Sequence, residues 1–244
     1  MTWLGDNWRT VLDLAVSHLY LAGVPLVIGL VLALPLGWAA KRWAGAYPVI
    51  ITGTGLLYTI PSLALFVMMP LLLGTKILDP VNVLVAMTIY TVALLVRTVA
   101  DGLRAVPDHV EQAATAMGYR GLRRLFGVEL PLAVPVIAAG LRVAAVSNVS
   151  IVSVASVVGV SQLGDLLVDG YNRVIWGELL TGILACVLLA LLLDVVIQAG
   201  TMNLQQIVVQ QNAGSIFGFD GLGNPYILTQ FICFVIFMIA VQAE

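Results

Sequence analysis

Charge is what this sequence has least of. Only 10% of its 244 residues are Asp, Glu, Lys or Arg, where a soluble domain carries roughly 25%. Apolar residues fill the difference: 61% are hydrophobic, and the mean hydropathy is +1.05. One core cannot hide that much apolar surface from water, so an ordinary soluble domain is excluded and lipid is the solvent for most of the chain. A net charge of −2 without a basic tail excludes a strongly cationic nucleic-acid binder. The two cysteines, Cys186 and Cys233, sit in apolar runs, which excludes a disulfide framework and reads as two small buried hydrophobes. His18 and His109 have no neighbours at ligand spacing, so no metal site is expected. Met1–Asp13 is polar and aromatic without a basic n-region, so a cleaved signal peptide is not expected.

A transmembrane helix needs roughly 20 predominantly apolar residues. The runs that approach this are Leu19–Ala40, Val49–Leu73 with Pro61 inside it, a short Val81–Val96, Val134–Val160, and Leu179–Gln198. Tyr226–Val241 is a candidate sixth. The expected fold class is all-α and polytopic, a five-span bundle with one further hydrophobic segment. Lys41, Arg42, Arg97, Arg104, Arg120, Arg123 and Arg124 fall in loops on one side of these spans; Arg9, Lys76 and Arg173 fall on the other. That imbalance places the long loop after the third span in the cytoplasm and the amino end outside.

The long loop is the most informative segment. Pro107 and Asp108 are helix-start residues, and Asp108 with Glu111 has the spacing of a capping box. Behind them Val110, Ala113, Ala114 and Met117 fall at i, i+3, i+4 and i+7, an apolar stripe on a two-turn helix that Gly118 is placed to end. So short a helix is unstable alone in water and must dock its apolar side. Periodicity does not choose between its own bundle and a cytosolic partner.

Gln112-Ala113-Ala114-Thr115-Ala116-Met117-Gly118, followed after twelve residues by Pro131, resembles the EAA loop of ATP-binding-cassette importer permeases. Tyr58-Thr59-Ile60-Pro61-Ser62-Leu63-Ala64-Leu65-Phe66 resembles a second-span motif of the permeases that import glycine betaine, choline and related osmolytes. Asn148–Leu167, with Ser150-Ile151-Val152-Ser153-Val154-Ala155-Ser156 and Leu163-Gly164-Asp165-Leu166-Leu167, resembles their fourth span and its exit. Together these cover about residues 10–198. The resemblance implies a permease domain over 1–198 with a coupling loop at 97–131, whose helix docks in a cleft of a separate ATPase subunit. Glu111, Gln112, Ala113, Ala114, Met117, Gly118 and Pro131 are the coupling residues it implies. It also implies a homodimer, an extracellular binding protein or domain that delivers a quaternary-amine osmolyte such as glycine betaine, choline or carnitine, and a prokaryotic inner membrane. The chain has no Gly-x-x-x-x-Gly-Lys-Ser/Thr run, so ATP is expected on the partner and no cofactor on this chain. Gln112 stands where the family usually has an acid. Glu111, one residue earlier, lies about 100° away around the helix and does not simply replace it. Ser161-Gln162 stands where many relatives have glycines, which predicts a stiffer turn.

Within the fourth span, Ser147, Asn148, Ser150, Ser153 and Ser156 do not share one face. The serines suit close packing and bonds back to their own helix, leaving Asn148, with Pro61 and Ser62, as candidates for the translocation path. Arg142 inside that span calls for an acid or the interface, and Asp194 in the fifth span reads as a boundary or pairing residue.

After Gln198 the permease resemblance stops. No Lys or Arg follows Arg173, and Gly200–Val208 together with Phe231–Glu244 resembles a middle section of the quinone-site membrane subunit of respiratory complex I. Residues 199–244 are therefore expected to be an atypical tail, joined as in a chimera. The rival to the importer reading is a non-transporting membrane-complex subunit, or an inert chimera, defined by that tail.

Overall fold

Lipid offers a backbone no hydrogen-bond partner, so a chain of this composition satisfies its peptide groups within helices. A computed structural model describes residues 2–43 and 45–211, and all the regular elements among them are helical. The candidate sixth segment, Tyr226–Val241, lies outside the described residues. Four helices are long and apolar enough to cross a membrane, and a bent pair makes up to five spans, as the polytopic all-α reading requires.

Helix α1 (Thr2–Arg42) is far longer than the expected span Leu19–Ala40. Its polar, aromatic beginning is helical because Trp3, Val11, Leu14 and Ala15 pack onto a core cluster, a gain that a hydropathy run does not register. The expected second span is not one straight helix. It is α2 (Ala46–Tyr58) and α3 (Ser62–Leu73), bent by 99° at Thr59–Pro61. Pro61 has no N–H and pushes Ile60 out of the helical region, which ends α2 there. The Tyr90 hydroxyl donates to the carbonyl of Ile60, and Tyr58 sits edge-on to the Tyr90 ring with centroids 5.7 Å apart.

Helix α4 (Pro80–Arg104) also exceeds its expected limits of Val81–Val96. Asp79 caps it by accepting the Val81 N–H at 3.0 Å, and Pro80 occupies the first turn, where its missing N–H costs nothing. The residues past Val96 stay helical because Val99, Ala100 and Leu103 are buried. This helix is the centre of the bundle, packed against α1, α2, α3 and the later α7. It lies very close to α1: a Cβ added at Gly29 would sit 2.5 Å from Thr91 Cγ2, and one at Gly37 would sit 2.5 Å from Val99 Cγ1. Close backbone approach of this kind is what holds helices together where lipid removes the hydrophobic drive between them.

Then follow α5 (Asp108–Ala116), α6 (Gly121–Arg124), a π-helical turn at Leu125–Glu129, α7 (Leu130–Ser153) and a 3-10 turn at Val154–Val158. The described residues end with α8 (Gly164–Asn172) and the long α9 (Trp176–Gln211). Helix α9 continues past Gln198, the residue at which the permease resemblance was expected to stop.

Candidate coupling site

Pro107 precedes α5 in extended conformation, and the helix ends on Met117 with Gly118 at φ +89°, the left-handed region that favours glycine. The stop expected at Gly118 is therefore present: Gly118 N–H donates to Thr115 O and Tyr119 N–H to Ala114 O, both at 3.0 Å. The expected capping box is absent. Asp108 is the first helical residue rather than the cap, and no side chain caps this end. Glu111 has stronger partners elsewhere.

Those partners form a four-charge cluster. Lys41, at the last turn of α1, places its Nζ 2.5 Å from Glu111 Oε1 and 2.8 Å from Glu129 Oε2. Arg124 Nε donates to Glu129 Oε1 at 2.6 Å, its second nitrogen lies 3.4 Å from Glu111 Oε2, and its third donates to the Thr115 hydroxyl at 3.2 Å. Two cations thus bridge two carboxylates and tie α5 to α1, α6 and the π turn that opens α7. Single-turn π segments inside longer helices recur at functional sites. Pro131 lies in the first turn of α7, beside the buried Glu129. At the same end of the bundle, Tyr47 donates to Asp101 Oδ1 at 3.0 Å, and the Arg104 guanidinium sits 3.5 Å over the Tyr47 ring.

The apolar stripe on α5 divides between two surfaces. Ala114 is 1% exposed, and Val110 is half-buried against the chain itself. Ala113 and Met117 are exposed, as is Gln112. The 100° step between Glu111 and Gln112 has a physical result: the acid turns inward to Lys41 and Arg124, and the amide turns outward. Sequence reasoning missed Lys41, Arg124 and Glu129 as members of this site, although all three were visible as charges at the ends of apolar runs.

The path candidates fare differently. Pro61 is exposed and Ser62 half-buried at the α2–α3 bend. Asn148 is enclosed: it is 2% exposed and its Nδ2 donates to the Ala22 carbonyl at 3.2 Å and to Thr91 Oγ1 at 2.9 Å. Within this chain it lies between helices and not on an open surface. A buried amide is costly without partners, and Asn148 finds them on α1 and α4. Ser153 and Ser156 do bond back to Ser150 O and Ser153 O, at 2.6 and 3.1 Å.

Arg142 meets Asp194 in a two-pronged pair, Nε to Oδ1 at 2.6 Å and the terminal nitrogen to Oδ2 at 2.8 Å. His18 is not isolated. Its Nδ1 lies 2.8 Å from Gln162 Oε1 and its Nε2 lies 3.0 Å from Val149 O. Gln162, wholly buried, also accepts the Gly164 N–H at 2.6 Å and donates to Ser153 O at 3.2 Å. The residue read as stiffening a turn thus ties that turn to α1 and α7. Among the described residues no group of His, Cys, Asp and Glu is arranged to hold a metal.

Known proteins resemble this chain over most of its length. Residues 25–209 match the family described as binding-protein-dependent transport system inner membrane component. That match runs past Gln198, so permease-like sequence continues into the segment expected to be foreign. The osmoprotectant import permease protein OsmW of Salmonella typhimurium is 33% identical over 193 residues, 78% of this chain and 89% of the relative. The glycine betaine/carnitine/choline transport system permease protein OpuCB of Bacillus subtilis is 29% identical over 197 residues, 81% of this chain and 89% of the relative. In fold, a chain of the MetNI methionine ABC transporter, in an inward-facing conformation, superposes with a TM-score of 0.74 at 20% identity, covering 82% of this chain and 98% of that one. With three quarters of its length inside the family match, this chain belongs to the inner membrane components of binding-protein-dependent transport systems.

Proposed function

We propose that two copies of this chain enclose a passage through which a quaternary-amine osmolyte such as glycine betaine, choline or carnitine enters a prokaryotic cell. A separate ATPase subunit docks on the outward face of α5, at Gln112, Ala113 and Met117, and an extracellular binding protein delivers the cargo. The observation that carries this reading is the charge cluster, which links α5 to α1 and α7 so that a push on the coupling helix reaches membrane-crossing helices directly. The names of the relatives support the cargo class. The ion pairs that join Lys41 to Glu111 and Glu129 support placing the basic loops at one end, hence in the cytoplasm with the amino end outside. Rocking of paired bundles would then alternate access to the passage. The residues beyond the family match are dispensable on this reading.

Uptake of radiolabelled glycine betaine by cells carrying this chain with its ATPase and binding protein tests the proposal. Gly118→Asp forces a side chain into a left-handed position and should abolish uptake while the protein still inserts. Normal uptake together with retained ATPase binding would remove α5 from its assigned role. Truncation after Gln211 should leave uptake unchanged, and its loss would make the tail part of the machine.

A further inference from the structure

We propose that the cleft between the end of α1 and the α5–α6 connection binds the phosphodiester headgroup of an anionic phospholipid. The cleft measures about 250 Å³ and is lined by Trp38 and Arg42 from α1 and by Thr115, Tyr119, Arg120 and Arg124. Three arginines, Arg42, Arg120 and Arg124, are among its lining residues and no carboxylate is. Arg124 is already matched by Glu111 and Glu129, whereas Arg42 and Arg120 have no ion-pair partner among the described residues. The rim of the cleft therefore carries about two uncompensated positive charges, on side chains whose planar forks suit a phosphate.

Its position selects a lipid over a free anion. Helix α1 crosses the membrane and ends at Arg42, with Trp38 one turn earlier, the arrangement of an aromatic and a cation at a membrane boundary. Val31, Pro35, Trp38 and Arg42 fall at i, i+4, i+7 and i+11, so they share one stripe of the helix. Val31 is 61% exposed and Pro35 is also exposed. An open apolar track thus runs from the cleft into the span for about 16 Å at 1.5 Å per residue. A headgroup seated on the arginines would lay an acyl chain along that track. Basic pockets beside membrane-crossing helices are recognised sites for such headgroups. The proposal needs only that α1 crosses the membrane and holds whatever cargo is moved.

Native mass spectrometry of the full chain in mild detergent tests it, with phosphatidylglycerol, phosphatidylcholine of the same acyl chains, and inorganic phosphate as probes. Phosphatidylglycerol should bind in preference to phosphatidylcholine. The double variant Arg42→Gln, Arg120→Gln should lower its affinity on the order of tenfold, leaving phosphatidylcholine adducts unchanged. Both arginines are exposed, so the fold should survive, as a melting curve in detergent would verify. Arg9→Gln, at the other end of α1, should alter neither lipid. Equal binding of the two lipids, or undiminished phosphatidylglycerol binding by the double variant, would overturn the assignment. Displacement by inorganic phosphate would give the cleft to a free anion, and displacement by the ATPase subunit would give it to a protein partner; either result refutes the lipid.

Discussion

The cluster of Lys41, Glu111, Arg124 and Glu129 and the pair of Arg142 and Asp194 both join helices through cations and carboxylates, yet the first is on the whole the more exposed. Lys41, Glu111 and Arg124 keep 14%, 20% and 24% of their side-chain surface exposed, and only Glu129 is sealed, at 2%. Arg142 and Asp194 retain 11% and 7%. A partly wet cluster of four charges can exchange partners, because solvent takes up a vacated site at low cost. A closed pair has no substitute partner, and loss of either member strands the other. The first suits a joint that moves during transport and the second a fixed connection between α7 and α9.

The largest effect is expected where the closed pair is broken. Asp194→Ala leaves the Arg142 guanidinium without a counter-charge and should cost about 3–5 kcal/mol of stability in detergent unfolding. Arg142→Met combined with Asp194→Leu should recover most of that loss. A double variant no more stable than the single would assign the effect to packing instead of charge.

Glu129→Gln comes next. It removes the carboxylate that receives both cations, and should cost about 1–3 kcal/mol. Uptake should fall by more than the amount of inserted protein does, since the ion pairs that tie Lys41 and Arg124 to the start of α7 are lost while Lys41 still holds Glu111. Parallel losses of uptake and protein would make the cluster a stabilising feature only.

The smallest effect is expected at Asp165, which has no cation partner among the described residues. Burial, reinforced by the charge of Asp169 and only partly offset by hydrogen bonds with Ser161 and the Gln162 backbone, raises its carboxyl above the ordinary 3.8. A folded value above the unfolded one means that its contribution to stability is present in full below 3.8 and is lost as pH rises through the folded value. At neutral pH the ionised group is a small liability. Asp165→Asn should raise neutral-pH stability by a few tenths of a kcal/mol, about the scale of a surface change, and flatten the pH profile just above 3.8. A neutral-pH loss would mean that the hydrogen bonds with Ser161 and the Gln162 backbone outweigh the cost of burial.

Much of α5 was legible because its signals are local. Pro107 starts a helix, Gly118 stops one, and both act within a few residues of themselves. The broken second span was only half legible: Pro61 was visible, but a bend of 99° needs Tyr90 to take up the Ile60 carbonyl. The length of α1 and α4 was not legible, since hydropathy measures what lipid accepts and their extra turns are held by packing. The partners of Asn148 were not legible for a related reason. A polar residue in a span has either a cargo or a neighbour to bond, and the chain alone does not say which.

Composition by itself determined that lipid is the solvent, that the backbone must be helical and that the chain crosses the membrane several times. Order and spacing of its motifs determined the family. Only the tertiary structure decided that Glu111 turns inward while Gln112 turns outward, that Lys41 reaches Glu129, and that His18 meets Gln162 across 144 positions of sequence. The reason is range. Solvent preference and helix punctuation act on a residue and its near neighbours, whereas a buried charge or amide is settled by whatever group the packed bundle sets opposite it.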